Sequence, residues 1–315
     1  TAIVYISHKL AEIRRICDRY TVMKDGSSVC SGMVSDVSND DIVRLMVGRE
    51  LQNRFNAMKE NVSNLAHETV FEVRNVTSRD RKKVRDISFS VCRGEILGFA
   101  GLVGSGRTEL MNCLFGVDKR AGGEIRLNGK DISPRSPLDA VKKGMAYITE
   151  SRRDNGFFPN FSIAQNMAIS RSLKDGGYKG AMGLFHEVDE QRTAENQREL
   201  LALKCHSINQ NITELSGGNQ QKVLISKWLC CCPEVIIFDE PTRGIDVGAK
   251  AEIYKVMRQL ADDGKVILMV SSELPEIITV CDRIAVFCEG RLTQILTNRD
   301  DMSEEEIMAW ALPQE

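Results

Sequence analysis

Short apolar runs recur along this chain, and segments with helical spacing separate the later ones. From Val70 onward three strand-like runs come first, Val70–Val76, Asp86–Val91 and Glu95–Ala100. Further on, Met145–Thr149, Val235–Phe238, Val266–Val270 and Arg283–Phe287 read as strands set between helical patterns. That order predicts an α/β domain with a mainly parallel sheet. No run between about 161 and 229 reads as a strand, so this interval is expected to be a helical insertion. The longest apolar runs have strand length, far below the roughly 18 residues of a membrane-spanning helix. Any membrane association is therefore expected to be peripheral.

The same pattern occurs twice. Adding 264 to the numbering aligns Ala2–Gly26 with Val266–Gly290, and ten of these 25 pairs are identical, among them Ser7/Ser271, Glu12/Glu276, Cys17/Cys281 and Asp18/Asp282. Average composition would give roughly one or two. An offset this long points to tandem duplication of a whole domain. Residues 1–52 are then expected to be the C-terminal part of a first domain, 53–68 a linker rich in Asn, Glu and Ala, and 69–315 the second copy. Ala2–Ile6 is expected to be a strand. Thr1 in place of Met, with no basic region before the apolar run, predicts a piece of a longer chain without a secretory signal.

Composition narrows the possibilities without naming a chemistry. A chain of 315 residues with 42% hydrophobic content can bury one large domain, or one domain and part of another. Its net charge of −2 offers no broad attraction to nucleic acid or anionic lipid, and no nucleic-acid partner is expected. Arg79, Arg81, Lys82, Lys83 and Arg85 form a small basic cluster suited to a hairpin or to the neighbourhood of phosphate. Ten cysteines, three of them contiguous at Cys230–Cys232, fit neither a disulfide framework nor paired C-x-x-C zinc ligands, which suits a reducing cytosol.

Three segments carry candidate chemistry. Gly101-Leu102-Val103-Gly104-Ser105-Gly106-Arg107-Thr108 follows a strand and opens a helix, the setting of a phosphate-binding loop. Glycines let backbone N–H groups face phosphates, the helix N-terminus adds partial positive charge, and the Thr108 hydroxyl can ligate Mg²⁺. A ligand-free Gly-rich turn is the alternative when this run stands alone. Val235–Phe238 leads into Asp239-Glu240, placing one acid for Mg²⁺ and another for an attacking water. Arg243-Gly244-Ile245-Asp246 follows as a tight loop. Upstream, Leu215-Ser216-Gly217-Gly218-Asn219-Gln220-Gln221 precedes a helix expected over 219–229.

In this order and spacing the three segments resemble the ATP-binding-cassette family, and the resemblance covers the whole chain. It implies a P-loop fold with a small antiparallel β subdomain and a helical insertion, preceded by the tail of a first tandem cassette. It implies ATP and Mg²⁺ as cofactors, with 101–108, Glu150 and Asp246 at the nucleotide, Thr108 and Asp239 at the metal and Glu240 as catalytic acid. It further implies that Ser216, Gly217 and Gly218 act on ATP held by another cassette, and that His8 is a catalytic switch histidine touching the γ-phosphate.

Four positions depart from that pattern in the second copy. Arg107 replaces the usual lysine, Glu150 the usual glutamine and Ser272 the histidine aligned with His8, and no aromatic lies between Val76 and Asp86 to stack on adenine. Glu240 is retained, which is compatible with slow hydrolysis. One competent and one weak site are therefore expected, and the chain alone should show little activity.

The run G-R-T, Ser151-Arg152-Arg153-Asp154 and LSGGNQQKV look like the ATP-binding subunits of bacterial monosaccharide importers of the ribose, galactose and xylose group. Expected partners are a transmembrane sugar permease, a periplasmic sugar-binding protein reached through it, and another cassette. The expected location is the cytoplasmic face of the inner membrane. Residues 150–161, with Phe157 and Phe158 expected at the surface, should dock the permease.

Overall fold

The computed structural model describes residues 3–6, 10–24, 27–38, 41–42, 68–175 and 187–313. Within 68–313, β3 (Thr69–Ser78), β4 (Ile87–Cys92), β6 (Arg120–Leu127) and β7 (Lys130–Asp131) form an antiparallel sheet in the order β4-β3-β6-β7. A second sheet holds six strands in the order β12-β11-β5-β10-β9-β8. These are β5 (Ile96–Gly101), β8 (Met145–Ile148), β9 (Val235–Asp239), β10 (Val266–Val270), β11 (Arg283–Cys288) and β12 (Arg291–Thr297). All neighbours in it are parallel except β11 and β12.

Strand periodicity explains the layering. Along β9, Val235 and Ile237 face one core while Ile236 and Phe238 face another. Val266, Leu268 and Val270 of β10 alternate in the same way with Ile267 and Met269. Strands covered on both faces carry unbroken apolar runs, as expected for a parallel sheet. One core lies between the two sheets and contains a line of aromatic rings, Phe71, Phe89, Phe99 and Phe287, with successive centroids 6.4, 5.4 and 5.9 Å apart. The other core packs the second sheet against helices introduced below. Gly98 of β5 has no room for a side chain there. A Cβ at this position would lie 2.6 Å from Cys281 Sγ and 2.8 Å from Ile277 Cγ2.

The helices, in chain order, are α1 (Leu10–Ile16), α2 (Arg107–Phe115), α3 (Pro137–Lys142), α4 (Ile163–Asp175), α5 (Glu187–Leu200), α6 (Gly217–Leu229), α7 (Val247–Asp262), α8 (Leu274–Val280) and α9 (Glu304–Ala311). Ile253 and Met257 of α7, Ile277 of α8 and Ile307 of α9 fill the second core. A third core joins Ile163, Ala164 and Met167 of α4 to Val223 and Leu224 of α6, and is the helical insertion expected over 161–229. Ser162 and Asn211 form one isolated bridge at its base.

Near the start of the chain, α1 is followed by a hairpin of β1 (Arg19–Lys24) and β2 (Ser27–Met33). These elements match α8, β11 and β12 at the offset of 264. Arg19 pairs with Met33 as Arg283 pairs with Thr297, and the irregularity between Val22 and Met23 recurs between Val286 and Phe287. The strand expected over Ala2–Ile6 is not present across Ile3–Ile6. Its counterpart β10 is hydrogen-bonded to β5 and β9, and no such neighbours flank Ile3–Ile6 among the described residues. Strands β6, β7, β12 and the β1–β2 hairpin carry too few consecutive apolar residues to read as strands from sequence. The linker expected over 53–68 falls outside the described residues except for Glu68.

Candidate nucleotide site

β5 delivers the chain into the glycine-rich loop. Gly101, Gly104 and Gly106 have φ of 149°, 82° and 106°, and a Cβ at Gly106 would meet the Lys83 carbonyl oxygen at 2.2 Å. Only glycine fits that approach, so the basic 79–85 segment sits directly against the loop. Leu102 and Val103 are exposed, and no side chain caps α2 at Gly106. The N–H groups of the first turn are thus left for a ligand. The Ser105 hydroxyl is buried and finds no hydrogen-bond partner, an orphaned donor beside a helix N-terminus that fits a phosphate oxygen.

The loop helix meets the acidic strand. Thr108 Oγ1 donates to Asp239 Oδ1 at 3.2 Å, and the Tyr147 hydroxyl donates to Asp239 Oδ2 at 2.9 Å and to Asn112 Oδ1 at 3.2 Å. Burial pushes the Asp239 carboxyl above its usual range, opposed by the Tyr147 and Thr108 hydrogen bonds. A hydroxyl and a carboxylate poised together are hard oxygen donors of the kind Mg²⁺ takes. Glu240 stands next in the left-handed region, φ 50°, with its N–H on the Val270 carbonyl and Oε2 accepting from the Ser272 hydroxyl at 3.1 Å. Burial raises its carboxyl too, and Ser272 counters that.

Arg107 does not point into the open loop. It is buried, and its Nη1 donates to the Ser271 carbonyl at 2.5 Å and more weakly to the Phe99 carbonyl at 3.5 Å. Burial lowers its pKa, opposed by Glu240 and Asp239.

A second group of expected residues gathers elsewhere. Ser216 precedes α6, which begins at Gly217 rather than at Asn219 because both glycines already take helical geometry. A Cβ at Gly218 would come within 2.5 Å of Ala249 Cβ, so α6 and α7 touch there. Asp246 caps α7 through the Ala249 N–H at 3.0 Å, a role the sequence reading did not assign. Glu150 forms an ion pair with Arg243. Arg152, missed as a site residue, donates to the Gly217 carbonyl at 2.7 Å and to the Arg243 and Gly244 carbonyls at 3.3 Å each. Glu150, Arg152, Gly217, Arg243 and Gly244 line an open cleft of about 670 Å³, whereas Ser216, Gly218 and Asp246 do not. Nothing bonds it to the 101–108 loop among the described residues. His8 lies outside them.

The segment expected to dock a partner is only partly at the surface. Phe157 is buried in the helical core, contrary to expectation, whereas Phe158 is 48% exposed and stacked on Phe161 with centroids 5.1 Å apart. Lys227 explains the inward turn. It is buried, donates to the Gly156 carbonyl and has its pKa lowered to about 8 by desolvation, which clips the backbone before Phe157 onto α6.

Comparison with known proteins supplies the family. A family model described as ABC transporter matches residues 84–243. The chain is 99% identical over 315 residues to the D-allose import ATP-binding protein of Escherichia coli K12, covering 100% of this chain and 62% of that protein. It is 43% identical over 310 residues to a ribose import ATP-binding protein of Bacillus cereus, covering 98% and 60%. The chain thus spans about three-fifths of the length of the curated relatives it matches. Among solved structures, a nucleotide-free ATP-binding cassette from an ABC transporter covers 78% of this chain and 100% of its own, at 21% identity and a TM-score of 0.66, a likeness of fold.

Proposed function

This chain belongs to the ABC transporter family, and on that premise we propose that it is the second cassette, with the tail of a first, of an ATP-binding subunit that energises sugar import. D-Allose or a related monosaccharide is the proposed cargo, taken from the name of the near-identical relative. Its partners are a transmembrane permease, a periplasmic sugar-binding protein reached through that permease, and the complementary cassette. The subunit sits at the cytoplasmic face of the inner membrane; among the described residues no helix is long and apolar enough to cross a membrane.

The observation that carries the nucleotide reading is the meeting of Thr108 with Asp239 at 3.2 Å beneath an uncapped helix N-terminus. Thr108 and Asp239 would hold Mg²⁺, which neutralises charge between the β- and γ-phosphates. The N–H groups of Gly104 and of 106–108 and the Ser105 hydroxyl bind phosphate oxygens. Glu240, its carboxyl raised by burial and steadied by Ser272, takes the proton of a water aligned with the γ-phosphate.

The Arg107 geometry favours a second reading of this site, as a cassette that binds ATP weakly and turns it over slowly. To reach a phosphate the guanidinium must leave the Ser271 carbonyl, and a charged hydrogen bond is worth about 1.5–3 kcal/mol. That is roughly ten- to hundredfold in affinity. Exposed Phe158 supports permease contact through 150–161. The test is co-purification of the complete subunit with its permease, with and without Phe158→Ala. Retained recruitment in the variant removes the docking assignment, and failure of the unsubstituted subunit to co-purify removes the importer reading.

A further inference from the structure

Four donors converge on one carboxylate beneath the loops that end β9 and β10. Glu276, in the first turn of α8 and 6% exposed, accepts from Thr242 Oγ1 at 2.7 and 2.8 Å. It also accepts from Ser271 Oγ at 2.8 Å and Lys250 Nζ at 2.7 Å, and the Tyr254 hydroxyl bonds it as well. Thr242 belongs to the loop that carries Glu240. Ser271 belongs to the loop that carries Ser272, and Lys250 and Tyr254 belong to α7. The same Ser271 presents its carbonyl to Arg107 at 2.5 Å, and Ser272 closes onto Glu240 at 3.1 Å. Two hydrogen bonds joined by the Ser271–Ser272 backbone therefore link Arg107 to Glu240.

A buried carboxylate is costly unless its lone pairs are filled, and an apolar side chain of similar size would fill the same space without that cost. Loops compete poorly with sheets for a unique arrangement, because their backbone groups are only partly paired. We propose that Glu276 is a positioning residue. It ties both loops and α7 to one point, so that Glu240 and Ser272 keep their mutual geometry whether or not nucleotide is present. This rests on the nucleotide-site reading above. The internal repeat supports it independently, since Ser7/Ser271 and Glu12/Glu276 are identical while the switch position changes from His8 to Ser272. The tethering pair is kept where the residue it positions is not.

Glu276→Gln preserves shape but cannot accept from both hydroxyls and Lys250 at once. Thr242→Val removes a single spoke at nearly constant volume. Equilibrium binding of MgATP and MgADP to the chain and to both variants separates positioning from packing, because the proposed nucleotide site puts Glu240 and Ser272 at the γ-phosphate. Glu276→Gln should weaken MgATP about tenfold and MgADP under about threefold, with Thr242→Val moving the same way by less. A lowered melting temperature with the ATP-to-ADP affinity ratio unchanged in both variants overturns the positioning role while leaving the nucleotide site intact. Absence of binding of either nucleotide to the unsubstituted chain overturns the nucleotide site and this role together.

Discussion

Ile3 is 86% exposed and its repeat counterpart Ile267 is fully buried, although the helix and hairpin that follow each of them span and pair the same residues. Asp18 lies exposed before β1, whereas Asp282 lies buried before β11. The two copies separate what a segment encodes locally from what its surroundings supply. Helix length, hairpin register and the position of the irregularity are reproduced in both, so short-range sequence suffices for them. The buried parallel strand appears only in the second copy, where β5 and β9 flank it. An apolar run becomes a central strand when neighbours satisfy its backbone on both edges.

The sharpest way to break this comparison is to remove the repeated aspartate. Asp282 accepts from Arg258 Nη1 and from the Ile96 N–H, each at 2.8 Å. Asp282→Ala should cost about 3–5 kcal/mol by leaving a buried guanidinium short of a partner, while Asp18→Ala should stay within about 0.5 kcal/mol. Urea denaturation of the two variants measures both, and equal losses would mean that the first copy is covered in solution.

Cavity formation gives the next contrast. Ile267→Ala empties a filled site in the second core and should cost about 2–5 kcal/mol. Ile3→Ala removes an exposed side chain and should change stability by less than about 0.5 kcal/mol. The same denaturation measurement applies, and a costly Ile3→Ala would show that Ile3–Ile6 is packed.

The switch position distinguishes the copies by chemistry rather than packing. In the complete subunit reconstituted with the proposed permease, His8→Ala should lower coupled ATP hydrolysis by about a hundredfold or more, comparable to loss of a key transition-state contact. Ser272→Ala should lower it only a few-fold, since Ser272 bonds Glu240 in the site proposed to be the weaker one. Equal losses would make the two sites equivalent and remove the reading of Arg107 and Ser272 as marks of specialisation.

How much was legible beforehand depended on whether the signal was local. The strands β3, β4, β5, β8, β9, β10 and β11 announced themselves because each carries an apolar run, and the glycine loop, acidic strand and Ser216-Gly217-Gly218 kept fixed spacings. β12 escaped because its apolar residues, Leu292, Ile295 and Leu296, follow neither an unbroken run nor a period of two, and none of its residues is fully buried. Phe157 and Phe158 are adjacent and equally apolar, yet one is buried and the other exposed, and the backbone around them is held by Lys227 and Asn166, both distant in the pattern that sequence displays. Glu276, Lys250 and Arg152 were illegible for the same reason. Their partners lie on other elements, and no spacing in the sequence marks a carboxylate that will be buried with four donors.

The crowding at Gly98 bears on how this chain could change over time. Any side chain at 98 collides with Cys281 and Ile277, so growth at one position demands shrinkage at the other two. Single substitutions there are blocked while paired ones remain open, which ties β5 and α8 into one heritable unit. Cys281 has an identical counterpart in Cys17. The Cys281 thiol is thus expected to persist as a space-filler of fixed size, and descendants that replace it should carry a compensating change on the strand it faces.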